Sequence, residues 1–223
     1  MALSPGKRKE QALLALVVAL VGLCLVTYGT KELWRRYRIT HTPHPTLTKV
    51  VITHSTDTPS ETPPTDACAN YRVAPSYPKR IDLPSIDAGG CIEQVSIDQY
   101  GQIAVPTNIY TAAWYVKSVL PGQPGLSIID GHISGRYNTD GIFEHLDRLK
   151  PGDTFTVTLG DGTVLSYRVF KEQSVPLNQA VDTLLTKDSN VTASQLNLIT
   201  CSGQYNKSTK LYDHRTIVSA ELL

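Results

Sequence analysis

A cysteine, a histidine and an arginine, each beside an apolar run, are the residues of this 223-residue chain best suited to nucleophilic chemistry. Cys201 ends the run 196–201 and opens into a loop that contains glycine. His132 follows the run 128–131, and Arg215 directly precedes the last apolar run, 216–222. A thiolate nucleophile, an imidazole that moves protons and a guanidinium that binds an oxyanion would together catalyse acyl transfer.

Each of these residues also has a purely structural interpretation. Taken alone, Cys201 is more often inert packing, His132 a structural hydrogen-bonding group and Arg215 a surface charge. The combination of all three favours catalysis. Asp130 and Asp213 could supply a third member of a triad, although turn or surface roles are favoured for both.

Two other histidines compete with His132 for the catalytic role. His145 lies in a short polar helix predicted over 143–149, where a solvated position is favoured. His214 directly precedes Arg215 and could line the cleft, but its side chain is expected to point away. His132 is therefore the predicted acid and base.

The elements that must position these residues are predicted to be short β-strands. Apolar alternation between turn residues predicts strands at 80–83, 91–97, 103–105, 127–131, 154–159, 163–173, 197–201 and 216–222. The Asp161-Gly162 pair predicts a tight hairpin turn, and short helices are predicted over 143–149 and 179–185. No long helical pattern recurs between the strands, which argues against a doubly wound parallel sheet. This pattern indicates a closed barrel or a sandwich.

Charge and composition exclude two broad classes of protein. The formal net charge of +1 argues against a nucleic-acid-binding protein. The hydrophobic fraction of 41% is too high for a wholly disordered chain and too low for a polytopic membrane protein. The charge is unevenly divided, because residues 1–40 hold seven basic and two acidic residues, whereas 41–223 hold fourteen basic and eighteen acidic residues.

The basic end of the chain contains a candidate membrane anchor. Residues 12–28 carry no charge, so a transmembrane helix is predicted over 11–30, between a tail at 1–10 and a basic segment at 31–39. A cleaved signal peptide is the alternative, but its apolar run would be long and no clean cleavage site follows. Segment 40–65 holds nine Thr and five Pro, which predicts an extended linker before a compact domain at 66–223. The basic residues on either side of the anchor do not decide its orientation.

The four cysteines divide between the predicted anchor and the body. Cys24 lies in the apolar run, whereas Cys68 precedes the first predicted strand and Cys91 begins the second. A Cys68–Cys91 disulfide and a pair of unpaired thiols are both open, and Cys201 is left as the odd thiol. Because no Cys-x-x-Cys spacing occurs and the linker histidines have no scaffold, neither a metal site nor a cofactor is predicted.

Three strings resemble the signatures of the sortases, which are membrane-anchored cysteine transpeptidases of Gram-positive-type cell surfaces. They are Gly131-His132-Ile133, Leu198-Ile199-Thr200-Cys201, and Arg215 ahead of the closing strand. The resemblance covers about 80–223, includes the arrangement of anchor and linker, and extends to actinobacterial-type branches through 114–115 and 149–153. It implies a mainly-β fold, a closed eight-stranded barrel with short helices behind an N-terminal transmembrane helix. The topology that it implies is single-pass in the cell membrane, with the N-terminus cytoplasmic and the catalytic domain extracellular.

The resemblance also implies a reaction and its partners. Cys201 would attack a Leu-Pro-x-Thr-Gly-like sorting signal on a surface protein and form a thioacyl intermediate. His132 would transfer protons, Arg215 would bind the substrate carbonyl or the oxyanion, and Thr200 could add a hydroxyl donor. The acceptor would be an amine of a peptidoglycan precursor or of a pilin. An Asp-Pro-aromatic lid motif and a second hydrophobic span are not seen, which favours substrate anchoring over pilin polymerisation.

Two other functions are kept beside the transpeptidase. A cysteine protease would use the same residues with water as the acceptor. A non-enzymatic β-domain on a stalk, such as an adhesin or receptor, would not need the Cys201 thiol.

Overall fold

The computed structural model describes residues 29–30, 58–64, 68–97, 103–191 and 194–223. The chain divides into two units, Met1–His44 and Pro45–Leu223; in the first, only Gly29 and Thr30 are described, and both are helical. The predicted tail 1–10 and basic segment 31–39 lie outside the described residues, as do nearly all of the predicted anchor 11–30 and most of the linker 40–65. Within the part of the chain that is described, no helix has the length and apolar character needed to cross a membrane.

Eight strands in the second unit form a closed barrel, which confirms the mainly-β prediction. The strands are β1 Pro78–Leu83, β2 Ala88–Val95, β3 Ala112–Tyr115, β4 Gly125–Gly131, β5 Thr154–Leu159, β6 Val164–Pro176, β7 Ser194–Asn206 and β8 Leu211–Leu222. Around the barrel they follow the order β1-β2-β3-β4-β7-β8-β6-β5. The pairs β2–β3 and β4–β7 are parallel, and the other neighbouring pairs are antiparallel.

Apolar side chains at every second strand position fill the barrel interior. In β5, Phe155, Val157 and Leu159 are buried, and the threonines between them face outward. Tyr167 of β6 stacks on Phe155 inside the same core, with ring centroids 5.6 Å apart. Each such fully buried side chain contributes about 1.5–3 kcal/mol of transfer free energy, which explains why this alternation fixes the strand faces.

A second apolar cluster lies outside the main core and combines strand and helix residues. Ile128, Ile199 and Ile217 belong to β4, β7 and β8, and Leu184 joins them from helix α1, Leu177–Leu185. The helix predicted over 179–185 is thus confirmed and begins two residues earlier. It starts directly after Pro176, which is suited to a helix start but not to a helix interior.

The predicted hairpin between β5 and β6 is confirmed. Gly162 adopts φ +85°, and its N–H donates to the Leu159 carbonyl at 3.0 Å. The Asp161 side chain accepts a 2.9 Å hydrogen bond from the Thr163 N–H, which closes the turn from the other side. Glycine relieves the steric cost of the left-handed conformation at this position.

The strand predicted over 103–105 is wrong, and one strand was missed. Ile103 forms only an isolated bridge with Ile97, and Pro106 then follows, which cannot donate to a ladder. The missing barrel strand is β3, Ala112–Tyr115, whose two alanines gave a weak strand signal. Its residues are almost all buried, because Ala112 and Trp114 belong to the main core and Ala113 packs with Val95 and Ala104 on the other face.

The helix predicted over 143–149 is reduced to turns and a short 3-10 helix, Leu146–Arg148. No side chain caps its N-terminus, and a segment this short gains little from helix propagation. The buried side chains of Phe143, Leu146 and Leu149 hold the segment to the barrel core instead. Tertiary packing therefore decides its conformation.

Cys68 and Cys91 form a disulfide, with Cα atoms 5.5 Å apart. Cys68 lies ahead of β1, and Cys91 is in β2, directly opposite Arg80. The bond therefore ties the segment that enters the barrel to a strand of the barrel. In the described part of the chain, Cys201 is the free cysteine.

Candidate active site

Cys201 and Arg215 are direct partners in the antiparallel pair β7–β8. Ile199, two residues before Cys201, and Ile217, two residues after Arg215, are also partners. Both belong to the outer apolar cluster. Because side chains alternate along a strand, Cys201 and Arg215 lie on the same face as these two isoleucines. The thiol and the guanidinium therefore stand at the edge of the apolar cluster, where it opens towards solvent.

The sequence predicts that Cys201 ends its strand, and this prediction is wrong. β7 continues to Asn206, but its pairing with β8 becomes irregular after Ser202, and Gly203 adopts φ +81°. Residues 194–200 are buried, whereas Cys201 is only partly buried and 203–206 are exposed. The thiol thus lies where the strand leaves the protein interior.

The thiol of Cys201 is held mainly in its protonated form. Burial raises its pKa, and the charge of the Asp130 carboxylate raises it further, whereas the Arg215 guanidinium lowers it. The guanidinium is therefore the group that favours the reactive thiolate. Because burial is the largest of the three effects, the balance still favours the thiol at neutral pH.

Backbone carbonyls of β8 orient the guanidinium of Arg215. One of its terminal nitrogens donates to the carbonyl of His214 at 2.8 Å and to that of Tyr212 at 3.2 Å. Arg215 is only partly buried, so its other N–H donors can face solvent. A guanidinium fixed in this way is prearranged to bind a carbonyl oxygen or an oxyanion.

His132 follows β4 directly and is held by a carbonyl. Its Nε2 lies 2.8 Å from the Pro106 carbonyl oxygen, which can only accept, so Nε2 carries the proton. Burial lowers the pKa of His132, although the bond to Pro106 and the charge of Glu93 oppose this. His132 is therefore neutral at pH 7, with Nδ1 left as the acceptor.

Thr200 joins the strand that carries Cys201 to the strand that leads to His132. Its buried hydroxyl donates to the Gly131 carbonyl at 2.7 Å. Gly131 and Thr200 directly precede His132 and Cys201, so this bond joins the two strands next to these residues. In the structure the Thr200 hydroxyl proton is used in this bond; a role in oxyanion binding stays a prediction.

Asp130 lies near Cys201, whereas the sequence favours a turn or surface role for it. It lies two residues after Ile128 on β4 and pairs with Ile199, so it shares the face of the outer apolar cluster. Burial raises its pKa to about 7, although the Gly131 N–H and the Arg215 charge lower it. The alternation Ile128-x-Asp130 was the available signal, but only the pairing of β4 with β7 places the carboxylate near Cys201.

His214, Asp213 and His145, the other candidates for proton transfer, have different environments. His214 lies 2.9 Å from the exposed Asp213 carboxylate, and Asp213 also accepts a 2.7 Å bond from the Gln204 N–H. His145 lies in the turn directly before the 3-10 helix. The described residues contain no group of three or more His, Cys, Asp or Glu side chains placed to hold a metal ion.

Solved structures with a similar fold are sortases. A lid mutant of sortase A from Corynebacterium diphtheriae has a TM-score of 0.51 at 25% identity, and the match covers 70% of this chain and 74% of that one. Sortase C from Streptococcus pneumoniae has a TM-score of 0.54 at 21% identity, with 86% of this chain and 88% of that chain covered. The second likeness, at its lower identity, shows the fold alone. The comparison with curated protein sequences gives no match.

A family model independently covers the barrel and all three predicted catalytic residues. The model of the sortase domain matches residues 81–223, which is more than half of the chain. The matched region begins in β1 and ends with the last residue of the chain. This chain belongs to the sortase family.

Proposed function

We propose that this protein is a cysteine transpeptidase that cleaves a Leu-Pro-x-Thr-Gly-like sorting signal and transfers the surface protein to a cell-wall amine. Sortases are generally cysteine transpeptidases. The observation that carries the proposal is the cross-strand pairing of Cys201 with Arg215, with His132 joined to the same strands through Thr200 and Gly131. This arrangement supports a nucleophile, an oxyanion-binding cation and a proton carrier at one edge of the barrel.

The first half of the reaction forms a thioester. The Cys201 sulfur attacks the carbonyl carbon of the substrate threonine, and the carbonyl oxygen becomes an oxyanion next to Arg215. When the oxyanion collapses, the bond between threonine and glycine breaks, and the protonated imidazole of His132 gives its proton to the leaving amine. The products are the thioacyl enzyme and the released glycine-containing tail.

The second half transfers the acyl group. An incoming amine attacks the thioester carbonyl, and neutral His132 takes its proton. The carbon–sulfur bond then breaks, which leaves an amide between surface protein and acceptor and restores Cys201. An acceptor from a peptidoglycan precursor or from a pilin supplies the same amine chemistry.

The shifted pKa values of Cys201 and His132 determine how common the reactive protonation state of the site is. Burial disfavours the charge on both Cys201 and His132, so the neutral thiol–imidazole pair predominates at neutral pH. The reactive thiolate–imidazolium pair is the minor form, and Arg215 is the cation that increases its share.

The location of the reaction is part of the same proposal. A transmembrane helix over 11–30 would hold the protein in the cell membrane with its N-terminus in the cytoplasm. The Thr- and Pro-rich linker 40–65, of which residues 58–64 contact the barrel, would carry the catalytic domain outside, where surface proteins and cell-wall precursors meet. The Cys68–Cys91 disulfide supports this placement, because disulfides persist in oxidising compartments.

A panel of fluorogenic pentapeptides, varied at each position and given with and without amine acceptors, tests the activity. We expect cleavage of a peptide of the Leu-Pro-x-Thr-Gly type and an amide product when an amine is present. Free acid as the product even with excess amine would indicate a protease. No cleavage of any peptide, together with no reaction at Cys201, would favour the non-enzymatic domain.

A further inference from the structure

Residues 58–64, here called the strap, precede the region that matches the sortase family, 81–223, in the sequence. They contact the barrel. The strap pairs with the segment after Pro106. The Ser60 N–H donates to the Thr107 carbonyl at 2.8 Å, and the Ser60 carbonyl accepts from the Ile109 N–H at 3.0 Å. The Asn108 side chain donates to the Thr62 carbonyl at 2.9 Å. The strap thus lies along this segment as a short parallel bridge.

The carboxylate of Glu61 binds in the turn 135–139, away from the segment with which Ser60 pairs. It accepts a 2.6 Å hydrogen bond from the Arg136 N–H and a 3.0 Å bond from the Thr139 hydroxyl. Gly135 gives it room, because a Cβ at that position would lie 2.6–2.8 Å from the carboxyl atoms of Glu61. The carboxylate is therefore closely fitted to this turn.

Both contacts of the strap are made beside His132. The Pro106 carbonyl that accepts from the His132 ring directly precedes Thr107, which the strap holds. The turn that holds Glu61 begins three residues after His132. A 2.7 Å bond from the Gly135 N–H to the Thr139 carbonyl closes this turn. The strap therefore connects two segments. One follows Pro106, whose carbonyl holds the His132 ring, and the other is the loop that continues the chain after His132.

We propose that Glu61 is a positioning residue for His132, acting through the turn 135–139 and through the strap, which holds the segment directly after Pro106. This proposal rests on the proposed function, because the transpeptidase reaction is what gives His132 a proton to transfer. Proton transfer to a leaving amine requires a fixed distance between imidazole and substrate, and a misplacement of about 1 Å can cost about 100-fold in rate. The strap provides that fixation from outside the barrel.

The first test compares full-length variants by hydrogen–deuterium exchange. Glu61→Ala removes both hydrogen bonds, whereas Glu61→Gln keeps an oxygen for the Arg136 N–H and an amide that can donate to Thr139. Glu221→Gln is the matched control, because Glu221 also accepts one 2.6 Å bond, from Arg168, at the far end of β8. We expect Glu61→Ala alone to speed exchange in 133–141, by about tenfold or more at the Arg136 amide.

A double-mutant cycle tests the fit between Glu61 and Gly135. Gly135→Ala should also speed exchange in 133–141, because its Cβ displaces the carboxylate. In the Glu61→Ala background the same change should add little, since the group with which it collides is gone. Full additivity of the two effects would contradict the fit described above.

The role in positioning is tested by kinetics and by a reagent for histidine. In Glu61→Ala, kcat should fall about tenfold with KM changed less than about twofold, and Glu61→Gln should stay within about twofold of the wild type. Carbethoxylation of His132 by diethyl pyrocarbonate, followed by mass spectrometry, should be faster in Glu61→Ala and unchanged in Glu221→Gln.

These outcomes separate the two proposals. A wild-type chain that turns over no peptide while Glu61→Ala still speeds carbethoxylation of His132 would overturn the proposed function and keep the positioning role. An unchanged His132 reaction rate in Glu61→Ala would overturn the positioning role, whatever the wild-type activity. Faster exchange with kcat unchanged in an active enzyme would overturn it as well.

Discussion

Cys201 of β7 and Arg215 of β8 face each other across one antiparallel register position, on the outer face of the barrel. The Asp130 carboxylate acts on the same thiol from β4, with the opposite sign of charge. The Cys201 thiol therefore lies in the field of one cation and one acid, carried by the two strands that pair with its own.

Replacement of Arg215 should slow the chemical step more than it weakens substrate binding. For Arg215→Ala we expect a loss of about 10²–10³ in kcat, the range found when one oxyanion donor is removed. Arg215→Lys should recover only part of this, because an ammonium cannot reproduce the guanidinium fork. Arg168→Ala, which breaks an exposed ion pair with Glu221, is the control. Steady-state kinetics with a cleavable sorting peptide measures the effect, and full activity in Arg215→Ala would refute the assigned role.

Asp130 should make the reactivity of Cys201 depend on pH in a defined direction. Because the Asp130 pKa is about 7, its carboxylate is charged above that pH and then raises the thiol pKa. Asp130→Asn should therefore lower the pKa of Cys201 and speed its alkylation by iodoacetamide above pH 7. Below the Asp130 pKa, the two proteins should differ little, because the wild-type carboxyl is then neutral. The exposed Asp182→Asn serves as control, and identical pH profiles for Asp130→Asn and wild type would disprove the coupling.

The pH profile of peptide cleavage should be bell-shaped and wide. The pKa of His132 lies below its ordinary value and that of Cys201 above its own, so the two limbs are moved apart. Activity should fall on the acid side as the imidazole titrates and on the alkaline side as the thiol titrates. Measurement of kcat/KM across this range checks the prediction, which a narrow optimum would contradict.

Thr200→Val should destabilise the fold and disturb the site together. The change leaves the Gly131 carbonyl without its 2.7 Å partner in a buried place, which costs about 1–3 kcal/mol of unfolding free energy. Thr158→Val, on the outer side of β5, should cost much less. Urea denaturation of both variants provides the comparison, and equal stabilities would show that the bond between β4 and β7 contributes little.

The Cys68–Cys91 disulfide should contribute about 3 kcal/mol to the free energy of unfolding, the value for a closed loop of its length. Reduction should therefore lower the denaturation midpoint. The measurement is best made in Cys201→Ala, because no other described free thiol is then present to react. A midpoint that does not change on reduction would contradict the prediction.

Much of the fold follows from local sequence patterns. Alternation in 154–159 defines β5 to the residue, and Asp161-Gly162 defines its hairpin, because both signals depend on neighbouring residues only. The strand Ala112–Tyr115 was missed because its stability comes from the strands on either side, which local propensity does not contain. The same limit applies to 143–149, where buried side chains replace helical hydrogen bonds.

The candidate site was predictable where it depended on residue types and less so where it depended on register. Cys201, His132 and Arg215 could be chosen from their motifs. Asp130 and Glu61 could not, because their importance arises from pairing between distant segments: β4 with β7, and the strap with the turn 135–139. A period-two pattern gives the face of a strand, but only the register shows which side chains meet on it.

The most direct test of the central claim is mass spectrometry of the protein after incubation with a Leu-Pro-x-Thr-Gly peptide and no amine acceptor. We expect a mass increase equal to the acyl part of the peptide through threonine, located on Cys201. This adduct should disappear when an amine is added and should be absent in Cys201→Ala. No adduct, or one on a residue other than Cys201, would contradict the account.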